Sequence, residues 1–288
     1  MRRLAETRVS RAGGPVPSGS VQLASAAGDP PLDYYLYVPP EGGRDARILA
    51  AVHGIGARAA EQALLLAPLA ERHRVVLVAP CFTKPPYRAY QRLGTRAVRA
   101  DRALERAVED AARLTGANAS ELFLIGHSGG GQFVHRYAMA HPRRVAAAVV
   151  AAAGWYTYPD PTAPFPTGIA PAPRLSGLGF DADALLRVPM LVAAGEWDVE
   201  RDAALRQRPE IDRLQGPHRL ERARRWVEAM RRAAHEAGLP PVVSFRVLPR
   251  THHSFLASVR CGGLAELAFA FLFASEERAG GRAAGASA

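Results

Sequence analysis

An α/β architecture with a mostly parallel, doubly wound sheet flanked by helices is predicted by three observations. Short apolar runs recur along the chain, helical patterns lie between them, and each run is continuously apolar instead of alternating. Continuous apolarity marks strands covered on both faces, as a parallel sheet between helix layers requires. In such sheets ligands bind at the carboxyl ends of the strands, so chemistry is expected just after the runs.

The runs are YYLYV at 34–38, ILAAV at 48–52, VVLVA at 75–79, ELFLIG at 121–126, AAAVVAAA at 146–153, MLVAA at 190–194 and VSFRVL at 243–248. Between them, Leu104, Val108 and Ala111 recur at helical spacing. A clearer helix places Leu220, Ala223, Val227, Met230 and Ala234 on one stripe, with Arg224, Arg225, Arg231 and Arg232 off it. The stretch from Gly154 to Gly179 breaks the alternation. It is rich in proline and aromatics, and is read as a short cap insertion over the site, spanning 154–186. Residues 1–20 and 277–288 are small, polar and glycine-rich, and are expected to be disordered. One domain, 21–276, remains, and it holds no internal repeat.

The 288 residues are 48% hydrophobic and 22% charged, and no apolar run approaches the roughly 18 residues of a membrane helix. The expectation is a soluble chain with no membrane span. A formal charge of +10 raises nucleic acid as a partner. However, Lys84 is the only lysine, so 36 of the 37 basic residues are arginine, which reflects a GC-rich coding bias. The arginines interleave with acids, as in LERARRWVEAMRRAAHE, instead of forming a basic block, and no nucleic-acid partner is expected. Cys81 and Cys261 make neither a disulfide framework nor a metal cluster. The basic start lacks an apolar stretch behind it, which makes the cytoplasm the default location.

Four strand ends carry the chemistry. After ELFLI comes Gly126-His127-Ser128-Gly129-Gly130, followed by a helical pattern from Gln132. A nucleophile must project from a sharp strand-to-helix turn, and flanking glycines relieve its crowding. Ser128 is therefore the expected nucleophile. A tetrahedral intermediate needs two preorganised donors, each worth about 3 kcal/mol in the transition state. The N–H of Gly129 supplies one. His53-Gly54-Ile55-Gly56 follows the strand ILAAV and supplies the other, from Ile55 or alternatively Gly56. His53 is expected to brace this loop, not to move protons.

The strand MLVAA ends in Gly195-Glu196-Trp197-Asp198, where a carboxylate can reach an imidazole. Asp198 is the expected acid, with Glu196, Glu200 and Asp202 as rivals; Asp181 and Asp183 precede the strand and read as capping or surface residues. After the last strand stand His252 and His253, adjacent in a loop and pointing opposite ways, so one of the two is the base. The other histidines lack metal spacing, and neither a phosphate loop nor a dinucleotide fingerprint is present, so no metal or cofactor is implied. Trp155, Tyr156, Tyr158 and Phe165 are expected to line the acyl or alcohol pocket.

HGIG, GHSGGG, GEWD and THHSF, in this order and at these strand ends, make the chain resemble the α/β-hydrolase superfamily over roughly residues 30–275. The pattern YYLYVPP, VHGIG, VAPCF and SGGGQFVHRYAMAHPRRV is similar to bacterial esterases of the polyhydroxyalkanoate depolymerase and feruloyl or acetyl-xylan esterase kind. The resemblance implies an α/β-hydrolase fold and a serine esterase with a Ser-His-Asp triad, acting without a cofactor on a small-molecule or short polymer ester. It also places the base at His253, before Ser254 and Phe255. His252 stands where that family commonly has glycine.

Overall fold

The computed structural model describes residues 16–83, 85–170, 175 and 178–273. Eight strands form one sheet: β1 (Val21–Ala26), β2 (Leu32–Tyr37), β3 (Arg47–Val52), β4 (Val76–Pro80), β5 (Asn118–His127), β6 (Val145–Ala151), β7 (Met190–Gly195) and β8 (Val243–Leu248). Eight helices accompany them: α1 (Ala59–Arg72), α2 (Ala100–Thr115), α3 (Gly129–Ala140), α4 (Ala182–Leu185), α5 (Pro209–Gln215), α6 (Arg219–Glu236), α7 (Phe255–Arg260) and α8 (Leu264–Leu272).

The spatial order is β1-β2-β4-β3-β5-β6-β7-β8, antiparallel at β1/β2 and β2/β4 and parallel elsewhere. Both faces of the parallel strands are covered. Ile48, Ala50 and Val52 of β3 face a layer built from α2, α3 and α6. Leu49 and Ala51, pointing the other way, face α1 and α8. This two-sided burial is why the runs read as continuously apolar. All seven expected strands are present. β1 is additional: its burial alternates and its inward residues are mostly alanine, too weak a pattern to stand out.

From β3 the chain crosses through α1 to β4 on one side, then through α2 to β5 on the other. The winding reverses there, which opens a crevice between the carboxyl ends of β3 and β5. His53 and Ser128 stand at those two ends.

Residues 1–15 and 274–288 lie outside the described residues, so the expected disorder of the tail 277–288, and of all but the end of the arm, concerns segments not described. Chain order begins before residue 21. Val16 packs against the core, and the N–H of Gly19 donates to the carbonyl of Val38 at 2.8 Å. Cys81 and Cys261 form no disulfide. Among the described residues no helix is long and apolar enough to cross a membrane.

Candidate active site

Ser128 sits between β5 and α3 with φ 58° and ψ −115°, a conformation that costs a non-glycine residue on the order of 1–3 kcal/mol. The turn is over-determined by its surroundings. The Ser128 N–H donates to the Ala151 carbonyl of β6 at 2.9 Å, and its own carbonyl receives the N–H of Gln132 at 3.0 Å. A Cβ on Gly126 would run into the Gly130 carbonyl, and one on Gly130 into the Val52 carbonyl. Only glycine fits at these two places.

His253 follows β8 and receives Ser128. Its Nε2 is 3.0 Å from Ser128 Oγ, and its Nδ1 is 2.8 Å from Oδ2 of Asp198. Asp198 is 1% exposed, so its carboxylate is shielded from water. The loops that carry the pair are tied together. The N–H of Trp197 donates to Thr251 O and the N–H of Arg250 to Glu196 Oε2, both at 2.9 Å. Glu196 thus braces a loop, Glu200 is exposed, and Asp202 binds Arg219. His252 is exposed. Asp181 caps α4 by accepting the N–H of Ala184 at 3.0 Å.

The loop after β3 leans over the serine. Ile55 N lies 3.2 Å from where a Cβ of Gly129 would stand, so this loop packs directly against the start of α3. As first residue of α3, Gly129 has no intrahelical acceptor. Ile55 donates to no backbone carbonyl among the described residues. Gly56 occupies the exposed tip of the same turn. His53 braces the loop: its Nε2 accepts the Phe82 N–H at 2.9 Å, which places the ring proton on Nδ1, 2.6 Å from Gly54 O. Burial lowers its pKa, opposed in part by that backbone bond, and Tyr90 donates to its carbonyl at 2.9 Å.

Two further residues emerge at the site: His127, expected to be structural, and Arg219, to which the sequence pattern assigns nothing. His127, fully buried, stacks on His253 with centroids 5.2 Å apart and planes at 28°. Burial, and then the charges of His253 and Arg219, press its pKa well below the usual range and keep the ring neutral. Arg219 opens α6 at 1% exposure and bridges Asp198 and Asp202. An arginine in an arginine-rich helix gives no local sign of burial; only a pairing with GEWD across the fold could have revealed it.

Beside Ser128 lies a cavity of about 290 Å³, lined by His53, Gly54, Ile55, Gly56, Arg58, Glu61, Gln62, His127, His253, Ser254, Phe255 and Ala204. Here the expectation for the four aromatics is corrected, since Trp155, Tyr156, Tyr158 and Phe165 do not line this cavity. Tyr156 is fully buried and stacks on Trp226 at 5.0 Å; Phe165 stacks on Phe180 at 5.3 Å; Tyr158 packs against the same core. Trp155 lies under the guanidinium groups of Arg136 and Arg206. The apolar bodies of these rings are used to seat the 154–170 segment on α3 and α6. Among the described residues no cluster of His, Cys, Asp or Glu is arranged to hold a metal.

No family model and no curated protein matches the chain. Solved structures do. Poly(aspartic acid) hydrolase-1 from Sphingomonas sp. KT-1 is similar over 89% of this chain and 100% of its own, with TM-score 0.76 and 25% identity. A poly(3-hydroxybutyrate) depolymerase from Bordetella parapertussis is similar over 85% of this chain and 84% of its own, with TM-score 0.69 and 29% identity. The chain has the α/β-hydrolase fold. An S-formylglutathione hydrolase from Agrobacterium tumefaciens shares that fold at TM-score 0.56 and 16% identity, over 90% of this chain and 98% of its own.

Proposed function

We propose that this α/β-hydrolase-fold chain is a serine hydrolase that cleaves a carboxylic ester or related acyl bond through an acyl-enzyme. One observation carries the reading: a serine held at φ 58° has its oxygen 3.0 Å from an imidazole whose other nitrogen is 2.8 Å from a buried carboxylate. In this mechanism His253 Nε2 takes the proton of Ser128 as Oγ attacks the acyl carbonyl. The N–H groups of Gly129 and Ile55 receive the charge that develops on the carbonyl oxygen. Asp198 holds the Nδ1 proton, fixes the tautomer and stabilises the imidazolium. The imidazolium then gives its proton to the departing alcohol. Water, deprotonated by the same ring, releases the acid and restores Ser128.

The substrate is a small molecule or a short polymer. The similar proteins named for poly(aspartic acid) and poly(3-hydroxybutyrate) support polymeric substrates. Poly(aspartic acid) is joined by amide bonds, which makes amide hydrolysis on the same triad the second reading. A fluorophosphonate probe tests the core of the proposal. Labelling of wild-type protein at Ser128, absent in Ser128→Ala, is the expected result; a folded wild-type protein that takes no label would instead be a ligand receptor on this fold. Matched ester and amide substrates of graded chain length then separate the two reactions.

A further inference from the structure

Arg136, on α3, is fully buried. Its Nε donates to Thr157 Oγ1 at 2.9 Å, and its Nη1 to Gln91 O at 2.6 Å and Gln132 Oε1 at 3.4 Å. Among the described residues its Nη2 meets no partner. A buried guanidinium is normally matched by a carboxylate. Here the charged groups that act on it are Arg92 and Arg206, both cations, and its pKa is driven well down by burial first and then by their repulsion.

Arg206 repeats the pattern. It is half-buried, its Nε is sequestered without a partner among the described residues, and burial followed by repulsion from Arg208 and Arg92 lowers its pKa. The Arg136 and Arg206 guanidinium carbons lie 4.3 and 5.0 Å from the Trp155 ring centroid. A ring face offsets part of a cation's desolvation but carries no countercharge. Arg222 fixes the arrangement by donating to Gly154 O at 2.5 Å and Arg206 O at 3.0 Å, so the segments bearing Trp155 and Arg206 are clamped together.

Two short stretches of chain tie this cluster to the serine, although none of its side chains lines the cavity there. Arg206 stands two residues beyond Ala204, which lines the cavity at Ser128. Gln132, which receives Arg136, is one helical turn beyond Ser128 and hydrogen-bonded to its carbonyl. Arg92, exposed, adds positive charge from outside. Among the described residues no carboxylate pairs with Arg136 or Arg206.

We propose that Arg136 and Arg206, with Arg92 at the entrance, form a subsite for a carboxylate on the substrate, so that the preferred acyl compounds are anionic: half-esters of dicarboxylic acids or oligomers that carry free carboxylates. The proposal rests on the serine-hydrolase reading. It assigns Trp155 the role of seating the two guanidinium groups.

The test compares kcat/KM for monoethyl glutarate and ethyl valerate by proton release, in wild type, Arg206→Gln and Arg206→Lys, each checked for folding by thermal melting. A parallel calorimetric titration uses free glutarate. Hydrogen bonds to a charged group predict that the glutarate-to-valerate ratio falls roughly tenfold or more in Arg206→Gln, with partial recovery in Arg206→Lys and loss of glutarate binding in Arg206→Gln. A ratio that Arg206→Gln leaves unchanged, with both esters cleaved, overturns the subsite and leaves the hydrolase reading standing. Glutarate binding that depends on Arg206 in a folded protein that cleaves neither ester and takes no fluorophosphonate label supports the subsite as an anion site and removes the hydrolase reading. Absence of cleavage, of fluorophosphonate labelling and of glutarate binding removes both.

Discussion

Arg219 Nη1 stands 3.4 Å from Oδ1 of Asp198, while Oδ2 of the same carboxylate faces His253 at 2.8 Å. The guanidinium also grips Asp202, with Nη1 and Nη2 at 2.8 and 2.9 Å, so one buried cation holds two acids. Hydrogen bonding to Arg219 outweighs burial and keeps the Asp202 carboxyl below its usual range. Arg219 thereby fixes the carboxylate that is to orient His253, and offsets part of its negative charge. Arg219→Met should destabilise the protein by about 3–5 kcal/mol, the usual cost of breaking a buried ion pair. With the cation gone, Oδ1 of Asp198 loses its partner and the carboxylate is less firmly placed against His253, so kcat should fall while KM changes little. Separate kcat and KM values for folded Arg219→Met and Arg219→Lys check this; a kcat unmoved in the Met variant would assign Arg219 to stability alone.

Ser128→Ala should lower kcat by several orders of magnitude and preserve the fold, since a site lacking one triad member keeps only about 10³–10⁴ over water. Ester turnover and thermal melting of the purified variant are the measurements. Near wild-type activity would end the mechanism.

Asp198→Asn keeps the size of the group but turns a proton toward His253 Nδ1, which favours the wrong tautomer. A loss in kcat on the order of 10⁴ is expected. If Glu196→Gln or Asp202→Asn were the more damaging change, the acid would belong there.

The strand runs and the coming together of Ser128, Asp198 and His253 were readable because each depends on a local pattern at a strand end. What escaped was long-range. Arg219 and Arg222 look like solvated members of an arginine-rich helix, and their burial depends on Asp198, Asp202 and the Gly154 and Gly216 carbonyls, distant in sequence or out of register. The aromatics from Trp155 to Phe165 present the same apolar bodies whether they meet a substrate or the core. Their destination is set by α3 and α6, where His135, Trp226 and Arg136 wait. Val21–Ala26 forms a strand because Leu32–Tyr37 offers it an edge in full register, not through strong β propensity of its own.

Acid stability should report on Asp101, a buried carboxylate far from the chemistry. Burial alone would raise its pKa, but hydrogen bonds from His141 at 2.8 Å and Arg99 at 2.6 and 2.8 Å outweigh that and hold it at about 2, against an ordinary 3.8. A depressed carboxyl contributes stability that is complete above its unfolded pKa and is lost as pH falls through the folded one. The window is therefore about pH 4 to 2, and the contribution is ~2 kcal/mol. Denaturant midpoints between pH 2 and 6 should show Asp101→Asn losing less stability on acidification than wild type. Parallel curves for the two proteins would remove Asp101 from the acid transition.

The adjacent histidines give the sharpest test of the site. A general base must reach the serine oxygen at roughly 3 Å while its second nitrogen stays on the acid. His253 meets both conditions, at 3.0 and 2.8 Å, and its ring is backed by the neutral, buried His127. His252, one residue earlier, is exposed, and its carbonyl receives the N–H of Ser254 at 2.8 Å as the chain turns into α7. His253→Ala should therefore abolish turnover in a folded protein, whereas His252→Ala, which alters only the loop, should change kcat/KM by about tenfold or less. His127→Phe keeps an aromatic surface against His253 and should retain more activity than His127→Ala, which opens a hole beside the base. Steady-state rates for the four variants, each with a melting curve, decide the matter. An inactive, folded His252→Ala beside an active His253→Ala would transfer the base to His252 and show that the loop rearranges when substrate is bound.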